Sequence, residues 1–93
     1  MHHFRGSLLD GSQTRLDPAN VYLDFHDVTP GVGDAGWEGY LLVKEERDVE
    51  PGKVYTLRLA DGRSGRLTVK ELTPEDSEKF KYRATFVGEG QLL

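Results

Sequence analysis

The chain has 93 residues and no cysteine, and its formal net charge is −4 at pH 7. This length suits one domain, and the missing cysteines exclude disulfides, cysteine-ligated zinc and thiol catalysis. No apolar run approaches the ~20 residues of a membrane-spanning helix, and no signal peptide is visible. We therefore expect a cytoplasmic location without membrane contact.

Apolar and polar residues alternate with a period of two, and turn residues interrupt the alternation about every eight to twelve positions, as in small all-β domains. We predict an all-β fold over residues 1–93, a single small antiparallel barrel, closed or partly open, of about six strands. Closure is favoured because it removes exposed strand edges. The predicted strands are residues 3–9, 20–27, 37–44, 53–60, 65–72 and 79–87.

The predicted connections differ in character. Residues 10–18 are polar and rich in turn formers, so they are predicted to form a loop. Residues 29–36 contain several glycines and one proline and are predicted to be irregular. One helical turn is expected over residues 73–78, since Thr73 suits an N-cap and Pro74 the first helical position.

An Asp-Gly pair at positions 61–62 invites a tight hairpin between the fourth and fifth strands. A two-residue turn would set Leu57 opposite Arg66 and mix an apolar face with a charged one. A connection of three or five residues, with one glycine at positive φ, is therefore expected to place Leu57 opposite Leu67 or Val69. On this register the shared buried face is Leu57, Leu59, Leu67 and Val69, with Arg58 and Lys70 exposed.

The predicted core contains aromatic and aliphatic residues from every strand but the fifth. It comprises Phe4, Leu23, Phe25, Leu41, Tyr55, Leu57, Phe80 and Phe86.

No motif indicates catalysis. Residues 31–36 match the pattern G-x-G-x-x-G, but a strand follows them, whereas a dinucleotide site needs a helix N-terminus there. The serines lie near predicted turns or on outward faces, and no Ser/His/Asp set is recognisable by spacing. We therefore predict no catalytic residues and no cofactor.

Two histidines and a carboxylate form a candidate metal site. If the first two strands pair so that His3 faces His26, then Arg5 faces Asp24. Two imidazoles and one carboxylate are able to bind zinc or iron. The neighbouring guanidinium would neutralise the carboxylate, however, so a solvated face with one weak ion pair is favoured, and no metal is predicted.

The charges are segregated along the chain. Residues 1–52 hold four basic and ten acidic side chains, a net charge of −6, whereas residues 53–83 hold eight basic and five acidic ones, a net charge of +3. The basic residues of the last three strands share one outward face, which fits either an ordinary solvated face of one sheet or a stripe that binds an acidic partner, and we carry the stripe as the candidate binding surface. Its members are Arg58, Arg66, Lys70, Lys81 and Arg83.

Three functions fit these observations. The favoured one is a non-catalytic interaction module that binds a protein partner or forms a homo-oligomer. The alternative is an oligonucleotide-binding barrel that uses the stripe with Tyr22, Tyr40 or Trp37 as stacking platforms, although a pI near 5.3 is unlike the basic footprint of such proteins. A small enzyme or metal-binding protein using His3, Asp24 and His26 is the third.

Overall fold

The alternating pattern folds into six strands. A computed structural model describes residues 1–25, 36–75, 77–90 and 92. The strands are β1 His2–Asp10, β2 Gln13–Phe25, β3 Trp37–Val43, β4 Val54–Leu59, β5 Ser64–Pro74 and β6 Tyr82–Glu89. They form a closed antiparallel barrel in the order β1-β2-β3-β6-β5-β4. The predicted fold class is confirmed. Because the barrel is closed, it has no unpaired edge strand among those described.

The barrel consists of two three-stranded meanders. The first meander is β1–β2–β3, and the second is β4–β5–β6. They join at the β1·β4 seam, which has four paired positions, and at the β3·β6 seam, which has six. The connection over residues 44–53 carries the chain from β3 to β4, two strands that are not neighbours in the barrel.

All buried residues among those described are apolar. Leu23, Leu41, Tyr55, Leu57 and Phe86 are buried as predicted. Two further predicted core residues are only partly buried, at positions 4 and 80.

Phe25 was wrongly predicted as a core residue, because 45% of it is exposed. It is the last residue of β2, so its ring lies at the rim of the barrel. There it meets Phe4 edge to face with ring centroids 6.4 Å apart, and the guanidinium of Arg63 lies 5.6 Å from its centroid.

Trp37, the first residue of β3, is a buried member of the core. It is 2% exposed, and its Nε1 donates a hydrogen bond of 2.9 Å to the carbonyl oxygen of Gly90. Its indole lies directly over Gly88, where any Cβ would overlap the ring. Leu92, which follows β6, also packs against the core.

Two predicted connections are wrong. Residues 13–18 belong to β2, and only Gly11 and Ser12 separate it from β1, because Gly11 adopts a φ of 62° that permits a two-residue turn. This stretch is polar because that part of the β1–β2 hairpin is exposed, not because it forms a loop. Thr73 and Pro74 continue β5 and pair with β6, so no helical turn forms among the described residues of 73–78.

The short helical turn lies elsewhere, in the β3–β4 connection. It is a 3₁₀ turn over Glu46–Asp48, and a capping box between Glu45 and Asp48 closes it. The backbone N–H of Glu45 donates to Asp48 Oδ2 at 3.2 Å. Reciprocal capping satisfies backbone groups that have no partner within so short a turn.

The β4–β5 hairpin has the odd connection that the sequence predicts. Leu59 N donates to Arg63 O at 2.7 Å, so three residues connect the strands, and Gly62 has a φ of 99°. The hairpin buries the predicted apolar face and exposes Arg58 and Lys70, so both predictions are confirmed. The predicted partner was wrong, because Leu57 faces Gly65 and not Leu67 or Val69.

Candidate binding surface on the outer wall

None of the buried residues of the described chain is charged, so its charged side chains lie on the outer surface. No three His, Cys, Asp or Glu residues there are grouped to hold a metal ion. No helix in the described ranges is both long and apolar enough to span a membrane.

The register predicted for the metal candidate is wrong. His3 faces Tyr22, and Arg5 faces Asn20, since the tight turn between β1 and β2 and a bulge in this pair shift the strands. His3 Nε2 is hydrogen-bonded to Asn20 Oδ1 at 3.1 Å. Asp24 instead lies 3.4 Å from the terminal ammonium of Met1. His26 lies outside the described residues, as do positions 31–35 of the glycine-rich motif.

The five cations of the predicted stripe do lie on neighbouring strands of the second meander or just before β6, with their side chains on the outside. They do not form an unbroken row. Lys70 and Glu71 both point outward, because a bulge follows Val69 in the β5–β6 pairing. Glu89 lies across from Arg66 and accepts a hydrogen bond of 2.6 Å from Thr68.

Arg83 differs from the other four cations because its charge is already compensated. Its Nε lies 2.8 Å from Glu75 Oε2, and its guanidinium lies 3.9 Å from the ring centroid of Tyr40. The hydrogen bond to Glu75 raises the pKa of Arg83 above its ordinary value. By contrast, the side chains of Arg58, Arg66, Lys70 and Lys81 have no acidic group within 4.0 Å among the described residues.

An aromatic ladder that the sequence pattern did not predict runs across the first meander to β6. Tyr22 and Tyr40 stack with ring centroids 4.8 Å apart and planes at 18°. The imidazole of His3 packs against the opposite face of Tyr22, with ring centroids 4.8 Å apart. The guanidinium of Arg83 covers the opposite face of Tyr40. The alternation already put Tyr22 and Tyr40 on outward positions, but only the β2–β3 register, which sets them opposite each other, reveals the stack.

The ladder bears on the oligonucleotide alternative. Each tyrosine ring is held between two neighbours, so neither offers a free face for a base. Trp37, the third predicted platform, is buried in the core. Base stacking needs exposed ring faces, and the described residues that were predicted to provide them are occupied or buried.

Comparison with protein-family models, curated proteins and solved structures finds no significant match to this chain.

Proposed function

We propose that this barrel is a non-catalytic interaction module that binds a protein partner, either a different protein or a second copy of itself. The observation that carries the proposal is a set of unpaired cations on its outer wall, in a chain that is acidic as a whole. Four cations of the second meander have no acidic neighbour within ion-pair distance in the described chain, whereas residues 1–52, which include the first meander, carry a net charge of −6.

Unpaired cations on one face favour encounter with an acidic surface. Complementary charges act mainly on the association rate and on orientation, while apolar area supplies most of the affinity. The same wall offers apolar area, because Val54 and Val87 are 43% and 40% exposed and flank Thr68 in one cross-strand row. Charged and apolar groups thus adjoin each other on the second meander.

Sedimentation velocity at low and high salt tests the self-association arm. A dimer that dissociates as salt rises supports it, since surface charges are screened over ~8–10 Å near physiological ionic strength. A titration with labelled poly-glutamate tests the arm with a different protein. A monomer at every salt concentration that also fails to bind poly-glutamate contradicts the proposal.

Variants identify the surface. Arg66→Glu combined with Lys70→Glu should weaken either association at least tenfold. Lys44→Glu combined with Lys79→Glu is the matched control, because it makes the same charge change at two exposed lysines outside the predicted stripe. Equal weakening by both pairs would show that net charge alone drives binding.

The oligonucleotide function is the second candidate, and the same titration with a labelled oligo-dT discriminates it. Phosphate contacts would produce tight binding with a steep salt dependence. We expect weaker binding of oligo-dT than of poly-glutamate, since the chain is acidic as a whole and the ladder offers no free ring faces.

A further inference from the structure

The seven arginines of the chain fall into two groups. Four have partners, either carboxylates or backbone carbonyl oxygens: Arg15, Arg47, Arg63 and Arg83. The side chains of Arg5, Arg58 and Arg66 make no ion pair, hydrogen bond or ring contact with the described chain.

The three unpaired arginines, which we call the arginine row, lie on adjacent strands. Arg58 on β4 faces Ser7 on one side and Ser64 on the other. Arg5 is two residues before Ser7, and Arg66 is two residues after Ser64, so both are diagonal neighbours of Arg58. All three side chains are exposed. Diagonal neighbours in antiparallel sheets are about 7–8 Å apart, so the row spans about 15 Å.

Two members of the row, Arg5 and Arg58, border a groove that is open to a partner's backbone, and Arg66 lies outside it. A shallow groove along the β1·β4 seam is lined by Arg5, Arg58 and residues whose side chains are mostly small. The others are Gly6, Ser7, Asp17, Pro18, Leu59 and Ala60. The hydroxyl of Ser7 makes no hydrogen bond within the described chain and is free to donate to a carboxylate.

The chain has more acidic than basic residues, 16 against 12, yet this row is left without any acid in ion-pair contact. Three neighbouring guanidiniums repel one another, and a bound anion relieves that repulsion. Arginine also binds carboxylates in bidentate geometry, which adds orientation to charge attraction. The arrangement is therefore suited to an anionic ligand that extends along the row.

We propose that the arginine row binds an extended acidic segment of a protein partner, with carboxylates at every second position. In an extended strand, side chains two residues apart lie on one face and are separated by about 6.6–6.8 Å. That repeat is close to the spacing of the three arginines. The inference rests on the proposed interaction function and assigns its partner class and its contact residues.

A peptide is favoured over a nucleic acid on two observations. Asp17 lines the same groove as Arg5 and Arg58, and a phosphate chain following the groove would meet this carboxylate. The stacked rings of Tyr22 and Tyr40 elsewhere on the wall have no free face on which bases could stack. A peptide with alternating polar side chains has a hydroxyl or amide available beside Asp17.

The experiment measures fluorescence anisotropy of a labelled peptide in which Glu and Thr alternate, with three glutamates, at low salt. Arg58→Glu should raise the Kd at least tenfold, and Arg5→Glu combined with Arg66→Glu should abolish measurable binding. Lys44→Glu combined with Lys79→Glu should change the Kd less than twofold. Arg58→Lys should weaken binding several-fold, because a lysine keeps the charge but loses the bidentate fork.

Unchanged unfolding midpoints in urea would show that the variants remain folded, and all substitutions are at exposed positions. If poly-glutamate binds but Arg58→Glu has no effect, the arginine row is not the contact surface, although the interaction function stands. If oligo-dT binds more tightly than the peptide and loses affinity in Arg58→Glu, the row serves nucleic acid and the proposal is overturned. A peptide with three consecutive glutamates that binds more tightly would overturn the predicted spacing.

Discussion

The two seams of the barrel are closed by different means. On the outside of the β3·β6 seam, the guanidinium of Arg83 lies 3.9 Å from the ring centroid of Tyr40. On the inside, Trp37 and Phe86 meet edge to face with ring centroids 5.9 Å apart. Across the β1·β4 seam, no side-chain hydrogen bond, ion pair or aromatic contact joins the described residues of β1 and β4 themselves, and Arg58 faces Ser7 on the outer wall. The contacts from β1 reach residues just outside β4: Asp10 pairs with Lys53 at 2.7 Å, and the guanidinium of Arg63 lies 5.1 Å from the ring centroid of Phe4.

This contrast separates two uses of arginine on one wall. At the β3·β6 seam the guanidinium serves the fold, since a carboxylate and a ring already satisfy it. At the β1·β4 seam the guanidiniums of Arg5 and Arg58 make no ion pair, hydrogen bond or ring contact with the described chain and remain available. The same residue type therefore gives different information at different positions, and only its contacts distinguish a structural cation from a binding one.

The largest expected effect comes from removing an aromatic residue at the β3·β6 seam. Phe86→Ala should lower the free energy of unfolding by about 3–5 kcal/mol, because Phe86 is fully buried and packs against Trp37. Phe25→Ala is the matched control and should cost less than half as much, since 45% of Phe25 is exposed. Urea denaturation measures both, and equal losses would contradict the assignment of Phe25 to the rim.

A smaller effect is expected for the contact on the outside of that seam. A double-mutant cycle with Tyr40→Ala and Arg83→Ala should give a coupling of about 0.5–2 kcal/mol, the range of cation–π pairs from exposed to desolvated. A cycle between Arg58→Ala and Ser7→Ala, across the other seam, should give no coupling. Denaturation at one salt concentration checks both, and a coupled Arg58 would remove the distinction between the seams.

The smallest effect concerns acid stability at the β4–β5 hairpin. The side-chain and backbone hydrogen bonds from Arg63 hold the pKa of Asp61 below its usual value. The ionised carboxylate therefore stabilises the fold above the ordinary pKa of an aspartate, and this stabilisation is lost as pH falls through the lowered value. Asp61→Asn should melt slightly below the parent protein at pH 7, and the difference should vanish in strong acid. A difference that persists at the lowest pH would show that charge is not its cause.

The sequence predicted the architecture because alternation and turn residues carry it directly. The odd β4–β5 connection followed from keeping Leu57 and Leu67 on one face, and Gly62 provides the required positive φ. The register of β1 with β2 was not predictable in the same way. Residues 13–18 are exposed or only half-buried, so no apolar alternation marks them as a strand.

The surface was harder to predict than the core. The alternation of apolar and polar residues placed Arg58, Arg66 and Arg83 outside. It gave no information about Glu75, which pairs with Arg83 because the chain reverses direction between β5 and β6. Arg5 was absent from the predicted binding residues, because the pairing of β1 with β4 joins distant parts of the chain. Such contacts depend on which strands meet when the barrel closes. Composition and spacing predict the class of fold, but they do not predict which strands become neighbours.

The most direct test of the account is a map of amide chemical-shift changes during titration with the alternating acidic peptide. We predict the largest changes along the β1·β4 seam and its β5 neighbour, at residues 5–9, 56–60 and 64–67, with little change at residues 38–43 and 82–87. Changes confined to the β3·β6 seam, with the β1·β4 seam unaffected, would contradict the claim that the unpaired arginines are the binding surface.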